Sequence, residues 1–254
     1  MPLAKRIIPC LDIKDGKVVK HVQFHQSAWE AGDPIDLAAR YDEQGADEIV
    51  FLDITASHEG RTATLDLLRR AAERIFVPLT IGGGVSAVEH VRDYLMGGAD
   101  KVSVNSGAVK RPELINEVAE RFGSSTLVVA IDAKRRTEGG WEVYLNGGRL
   151  ATGRDALAWA EEAAQRGAGE LLVTAMDADG TRAGYDLELH RALAERVGIP
   201  VIASGGAGEL THIRDVLTEG QADAALAASI FHNGRYTVGD VKQYLKGEGV
   251  VIRP

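Results

Sequence analysis

The sequence predicts a (β/α)8 barrel of the TIM type, and three observations carry that prediction. Eight short β-rich runs alternate with eight amphipathic stretches from end to end. The chain's 254 residues suit eight such units, which take about 250 residues in this architecture. Glycine, aspartate and serine motifs also recur at one fixed offset, as two similar half-barrels require.

In chain order, the run RIIPCLD (6–12) is followed by DEIVFLDI (47–54), VPLTIGG (77–83) and KVSVN (101–105). The second half supplies TLVVAID (126–132), ELLVTAM (170–176), IPVIASGG (199–206) and ADAALAAS (222–229). Each is a short apolar run of the length a buried strand needs. Helical periodicity separates them at 34–45, 63–75, 87–98 and 111–123, then at 154–167, 186–198, 209–220 and 238–247. Many of these stretches stop at a glycine, which can adopt the left-handed conformation that ends a helix.

An open doubly wound sheet would satisfy the same alternation, but the repeat favours closure. Gly82 matches Gly205 at an offset of 123 (205 − 82), and the same offset pairs Asp100 with Asp223 and Ser106 with Ser229. The expected halves are about 1–122 and 123–254, within a single domain spanning 1–254. Two connections are long. Residues 13–33 exceed an ordinary βα loop at the strand C-terminal end, where a lid is expected, and 134–150 alternates around WEVYL as a small hairpin would.

Composition narrows the function classes. With 29 Lys+Arg against 37 Asp+Glu, the net charge of −8 repels a phosphate-coated polymer, so no nucleic-acid partner is expected. A single cysteine, Cys10, forms no internal disulfide, and the start lacks a secretory pattern, which points to the cytoplasm. No run is long enough to cross a bilayer, so no membrane is expected. The seven histidines are read as forming no ligand set, so no metal is expected.

Active sites of such barrels lie at the C-terminal strand ends. Asp12 ends the first strand and Asp132 the fifth, a separation of 120 (132 − 12), so the pair faces across the barrel mouth. Two carboxylates so placed can act as general acid and general base. Gly82, Gly83 and Gly84 in one half, and Ser204, Gly205 and Gly206 in the other, let backbone amides approach an anion closely. Asn105 with Ser106, and Ala228 with Ser229, complete two related phosphate cradles, so the substrate is expected to carry a phosphate at both ends. Neither motif has a Walker or Rossmann fingerprint, so no nucleotide cofactor is expected.

Strand parity adds a floor. If Asp12 points inward, Arg6 does too, roughly 20 Å away at about 3.3 Å per residue. Lys101 falls in line below Ser103 and Asn105, Glu170 below Leu172 and Thr174, and Glu48 opens the second strand. Two cations and two anions can form a ring of ion pairs, either as a plug or as a gate.

Taken together, AKRIIPCLDIKDGKVVK, FLDITAS, IGGGV, ADKVSVNS, VVAIDAKR, DADGT, IASGGAG and ADAALAASIFH resemble the family of imidazole glycerol phosphate synthase cyclase subunits over essentially the whole chain. The resemblance implies a (β/α)8 barrel that combines ammonia with a bisphosphorylated ribulosyl-formimino ribonucleotide in the pathway to histidine. It makes Asp12 and Asp132 the acid/base pair. It places phosphate contacts on Gly84, Asn105 and Ser106 at one end, and on Asp179, Gly180, Gly206, Ala228 and Ser229 at the other. Lys20 belongs to the first loop, while Asp53 and Thr174 line the pocket; simple alternation leaves Asp53 out of step, so its inward placement calls for a bulge or twist. The resemblance also implies a glutaminase partner on the barrel floor, at the end of the fourth strand where Asp100 lies, with Arg6, Glu48, Lys101 and Glu170 as an ammonia gate. The rival readings are the related histidine-pathway isomerase and a non-catalytic bisphosphate-binding barrel.

Overall fold

The computed structural model describes the backbone of residues 3–14, 17–22, 25–54 and 58–254, and the side chains of these except 20–31 and 58–63. Short, mostly apolar runs form β1 (Arg6–Lys14), β4 (Ile49–Asp53), β5 (Leu79–Gly82), β6 (Lys101–Val104), β7 (Leu127–Arg135), β10 (Glu170–Ala175), β11 (Val201–Ser204) and β12 (Ala224–Ala227). These pair in parallel in that order. Arg6 then pairs with Ala224, returning the last strand to the first. The ring is closed, which excludes the open sheet. All eight expected strands are present.

Two antiparallel arms extend the barrel wall. One is β2 (Lys17–Val22) with β3 (His25–Gly32), and the other is β8 (Trp141–Leu145) with β9 (Leu150–Asp155). The second is the expected hairpin. The first corrects the reading of 13–33 as a loop: β1 runs on to Lys14 and pairs with β2, Asp12 opposite Val19. Val18 and Val19 are buried, so this segment gains enough apolar contact to form a sheet although Lys17, Lys20 and His21 break its alternation.

Ten α-helices are seen among the described residues. Eight match the periodic stretches: α1 (Pro34–Glu43), α2 (His58–Ala72), α3 (Val88–Met96), α5 (Glu113–Phe122), α6 (Ala156–Arg166), α7 (Leu187–Ala194), α8 (Leu210–Thr218) and α10 (Val238–Gly247). The start of α2 lies five residues earlier than its pattern at 63–75 suggests (63 − 58). The short α4 (Ser106–Lys110) and α9 (Ser229–His232) were not foreseen, because five and four residues are too few to show a period.

The two halves use the same devices at matching places. Asp33 and Asp155 (155 − 33 = 122) cap α1 and α6, each accepting hydrogen bonds from two backbone N–H groups. Asp100 accepts from the Leu79 N–H at 2.8 Å, and Asp223 from the Val201 N–H at 3.0 Å. These bonds satisfy donors that a helix start or a strand entry leaves open.

Alternation along each strand divides the core in two. Ile7, Leu11, Phe51, Ile81, Val102, Val129 and Val173 face outward and pack under the helices. Their neighbours Ile8, Cys10, Val50, Val128, Leu172, Ile202, Ala224 and Leu226 fill the barrel itself. Each fully buried Ile or Phe contributes about 1.5–3 kcal/mol relative to exposure.

Candidate active site

The inward parity that stacks Ile8 and Cys10 on β1 carries Arg6 below them and Asp12 above. At the bottom, Arg6 Nη1 lies 3.1 Å from Glu48 Oε2 and 3.0 Å from Glu170 Oε1. Lys101 Nζ lies 2.8 Å from Glu48 Oε2 and 3.1 Å from Glu170 Oε1. Thr80 Oγ1 adds a donor to Glu48 Oε1 at 2.6 Å. Each cation thus touches both carboxylates, the arrangement that two buried and two half-buried charges demand. The apolar barrel filling separates this ring from the mouth.

Above that filling opens a cavity of about 860 Å³. Asp12 and Asp132 line it, together with Asp53, Gly84, Asn105, Ser106, Thr174, Asp179, Gly180, Ser204, Gly205, Gly206, Ala228 and Ser229. All the expected pocket residues meet there except Lys20, whose side chain lies outside the described residues.

The carboxylates sit at equivalent points, each where an antiparallel arm leaves its barrel strand: Asp12 opposite Val19, Asp132 opposite Tyr144. Cys10 Sγ lies 4.0 Å from Asp12 Oδ1. Asn105 Nδ2 donates to Asp132 Oδ2 at 3.0 Å. Burial pushes the Asp132 carboxyl up to about 6; the Asn105 hydrogen bond pulls it down and the nearby Asp179 charge adds to the rise. A carboxyl in that range exchanges protons efficiently near neutral pH.

Glycines shape the walls on either side. Gly83 has φ +119°, and a Cβ there would lie 2.2 Å from the Asp53 carbonyl oxygen. Gly206 has φ +106°, and a Cβ there would meet the Gly184 carbonyl oxygen at 2.0 Å. The Gly184 N–H in turn donates to the Gly206 carbonyl at 2.9 Å, fastening two mouth loops together. Only glycine meets both demands, positive φ and close backbone approach.

Asp53 reaches the cavity wall with no bulge, one of the two departures, a bulge or a twist, that alternation called for. The pairing of β4 with β5 is regular through Leu52 and Gly82, and the Asp53 carboxylate accepts a hydrogen bond from the Thr64 hydroxyl on α2. It sits where the last strand residue turns toward the helix layer. The sequence reading missed Lys14, Lys110, Arg149 and Arg182, which also border the cavity. They are exposed cations without periodic pattern; the one available signal was their nearness in sequence to strand ends or hairpin turns.

Among the described residues no group of three or more His, Cys, Asp or Glu is placed to hold a metal ion. No described helix is long and apolar enough to cross a membrane.

The closed barrel with its carboxylate-bearing mouth belongs to the class of (β/α)8-barrel enzymes. Residues 6–237 match the family model described as "Histidine biosynthesis protein". The chain is 75% identical over 253 residues to imidazole glycerol phosphate synthase subunit HisF of Symbiobacterium thermophilum, covering 100% of each chain. It is 58% identical to the protein of that name from Microcystis aeruginosa, over 99% of this chain and 100% of the relative. For the Synechocystis sp. protein the identity is 57%, over 100% and 98%. The chain belongs to the HisF family of histidine-biosynthesis barrels.

Proposed function

We propose that this chain is the cyclase subunit of imidazole glycerol phosphate synthase. It combines ammonia with the bisphosphorylated ribulosyl-formimino aminoimidazole carboxamide ribonucleotide, giving imidazole glycerol phosphate and aminoimidazole carboxamide ribotide. The observation that carries this reading is the pair Asp12 and Asp132 across one cavity, with a glycine-walled cradle on each side. Amine addition and ring closure require protons to move at oxygen and nitrogen, and two carboxyl groups in different surroundings divide that work. Asp132, held near 6, can both accept and return a proton at working pH.

One phosphate is assigned to Gly84, Asn105 and Ser106, and the other to Asp179, Gly180, Ser204, Gly205, Gly206, Ala228 and Ser229. Asp53 and Thr174 line the middle, and Lys20 is assigned to the substrate as well. The chain acts as one domain, 1–254, of two half-barrels meeting near Gly123, and works in the cytoplasm.

Ammonia is assigned to the opposite face, delivered by a glutaminase partner docked there beside Asp100. Arg6, Glu48, Lys101 and Glu170 form the gate. Moving an unpaired ammonium ion into the apolar filling is costly, whereas neutral ammonia passes. The charged floor favours the cyclase over the isomerase, which uses no ammonia.

The test is product formation by the purified chain from the bisphosphorylated substrate and ammonium salt. Asp12→Asn and Asp132→Asn should each lower turnover by about 10²–10⁴ with little change in KM. Isomerase activity instead, or normal turnover in both variants, refutes the assignment.

A further inference from the structure

The turn between β8 and β9 reaches into the cavity wall. Asn146, Gly147 and Arg149 all line it, and Asn146, Gly147 and Gly148 have φ of 54°, 63° and 77°. Three successive left-handed residues curl the turn tightly, and the Arg149 N–H closes it onto the Leu145 carbonyl at 3.0 Å. The tip is then fastened: the Asn146 N–H donates to Ser106 Oγ at 3.1 Å. On the other side of Ser106, α4 is pressed onto the loop after β5, since a Cβ at Gly107 would lie 2.2 Å from the Val85 carbonyl oxygen. Ser106 therefore sits between the hairpin turn and the loop after β5.

That bond has a chemical consequence. A serine hydroxyl has one proton to give and two lone pairs to receive with. Because Asn146 already donates to it, the hydroxyl proton is directed elsewhere, and the adjoining cavity is where an acceptor can meet it. Ser229, the equivalent residue at an offset of 123 (229 − 106), receives no such side-chain hydrogen bond among the described residues. Cations border this end too. Lys110 and Arg149 border the cavity and neither forms an ion pair among the described residues.

We propose that the β8–β9 turn is a fixed recognition lip for the substrate end seated at Ser106. Asn146 orients the Ser106 hydroxyl as a donor to a phosphate oxygen, and Arg149 and Lys110 add the positive charge that draws this end in. Arg149 and Lys110 are thus binding determinants outside the glycine cradle, and the Asn146 bond to Ser106 makes the two phosphate ends unequal. The proposal rests on the reading of a bisphosphorylated substrate given above.

Arg149→Gln and Lys110→Gln should each raise KM for that substrate about fivefold with kcat within about twofold, a loss that the tenfold-per-1.4-kcal/mol relation converts to about 1 kcal/mol. The KM of the variants should rise less steeply with salt. Of two analogues that each lack one phosphate, one should lose its preference for wild type over Arg149→Gln. Arg182→Gln, at the other side of the mouth, should leave the opposite analogue insensitive. An unchanged KM, or equal losses with both analogues, overturns the proposal. A titration with inorganic phosphate, followed through the backbone amide signals of Ser106 and Ser229, decides the matter even if the chain fails to turn over this substrate. Weaker binding in Arg149→Gln at Ser106 but not at Ser229 supports the lip; equal binding refutes it.

Discussion

Replacing Asp132 with asparagine removes a charge that the fold holds in an unfavourable place. Burial lifts its carboxyl from the ordinary 3.8 to about 6. A group whose folded value lies above its unfolded one contributes stability that is full below pH 3.8 and lost as pH rises through 6. At neutral pH the native chain therefore carries an ionised carboxylate it would hold more easily as an acid. A difference of about 2 pH units corresponds to about 3 kcal/mol as an upper bound. The side chain is partly open to the cavity, so water screens some of this and about 1–3 kcal/mol is expected. Asp132→Asn should accordingly be far slower yet more stable, melting roughly 2–12 °C higher at about pH 7.5, since about 2–4 °C accompanies each kcal/mol in a chain of this size. Thermal unfolding followed by circular dichroism provides the assay. At about pH 4.5 only about a third of the gain should remain, because most of the wild-type carboxyl is then protonated in the fold. A variant no more stable than wild type at neutral pH, or a gain indifferent to acidification, refutes the account of Asp132 as a charge strained by burial.

Gly206→Ala should lose substrate affinity and stability together, because its Cβ would sit 2.0 Å from the Gly184 oxygen at φ +106°; binding of wild-type strength contradicts the cradle. Lys101→Met should leave reaction with ammonium salt largely intact while altering glutamine-driven synthesis in the complex with the partner. Equal losses with both nitrogen sources identify the ring as a plain plug. His190 is fully buried on α7, neither ring nitrogen finds a hydrogen bond among the described residues, and burial lowers its pKa from 6.5 to about 4 although Asp186 opposes the shift. Its stability contribution is full above pH 6.5 and lost as pH falls through 4. His190→Leu should therefore resist acid unfolding better than wild type below about pH 6, and identical acid transitions contradict this.

The parts of the fold that repeat were legible, because eight apolar runs at barrel spacing leave few other ways to bury their surface. Asp12 and Asp132 were legible for a related reason: a charge closing an apolar run conflicts with its own segment, although both strands run on past it, to Lys14 and Arg135, and such conflicts gather at working sites. The first arm was not, since Lys17, Lys20 and His21 interrupt the alternation that Val18 and Val19 begin. Asp53 could be placed only once the regular β4–β5 register and its bond to Thr64 were seen. Arg149 and Lys110 escaped because exposed cations have no period, and the bond joining Asn146 to Ser106 spans 40 residues of sequence.

The backbone bond between Gly184 and Gly206 bears on how this barrel can change. One side of the mouth is joined by main-chain atoms packed so closely that a side chain added there breaks the wall rather than retuning it. The other side is joined through Ser106, and point substitution alone can alter or release that tie. Variation toward new ligands should therefore accumulate around Ser106, Lys110 and Arg149, with the Gly206 side kept as the fixed reference against which each new ligand is measured.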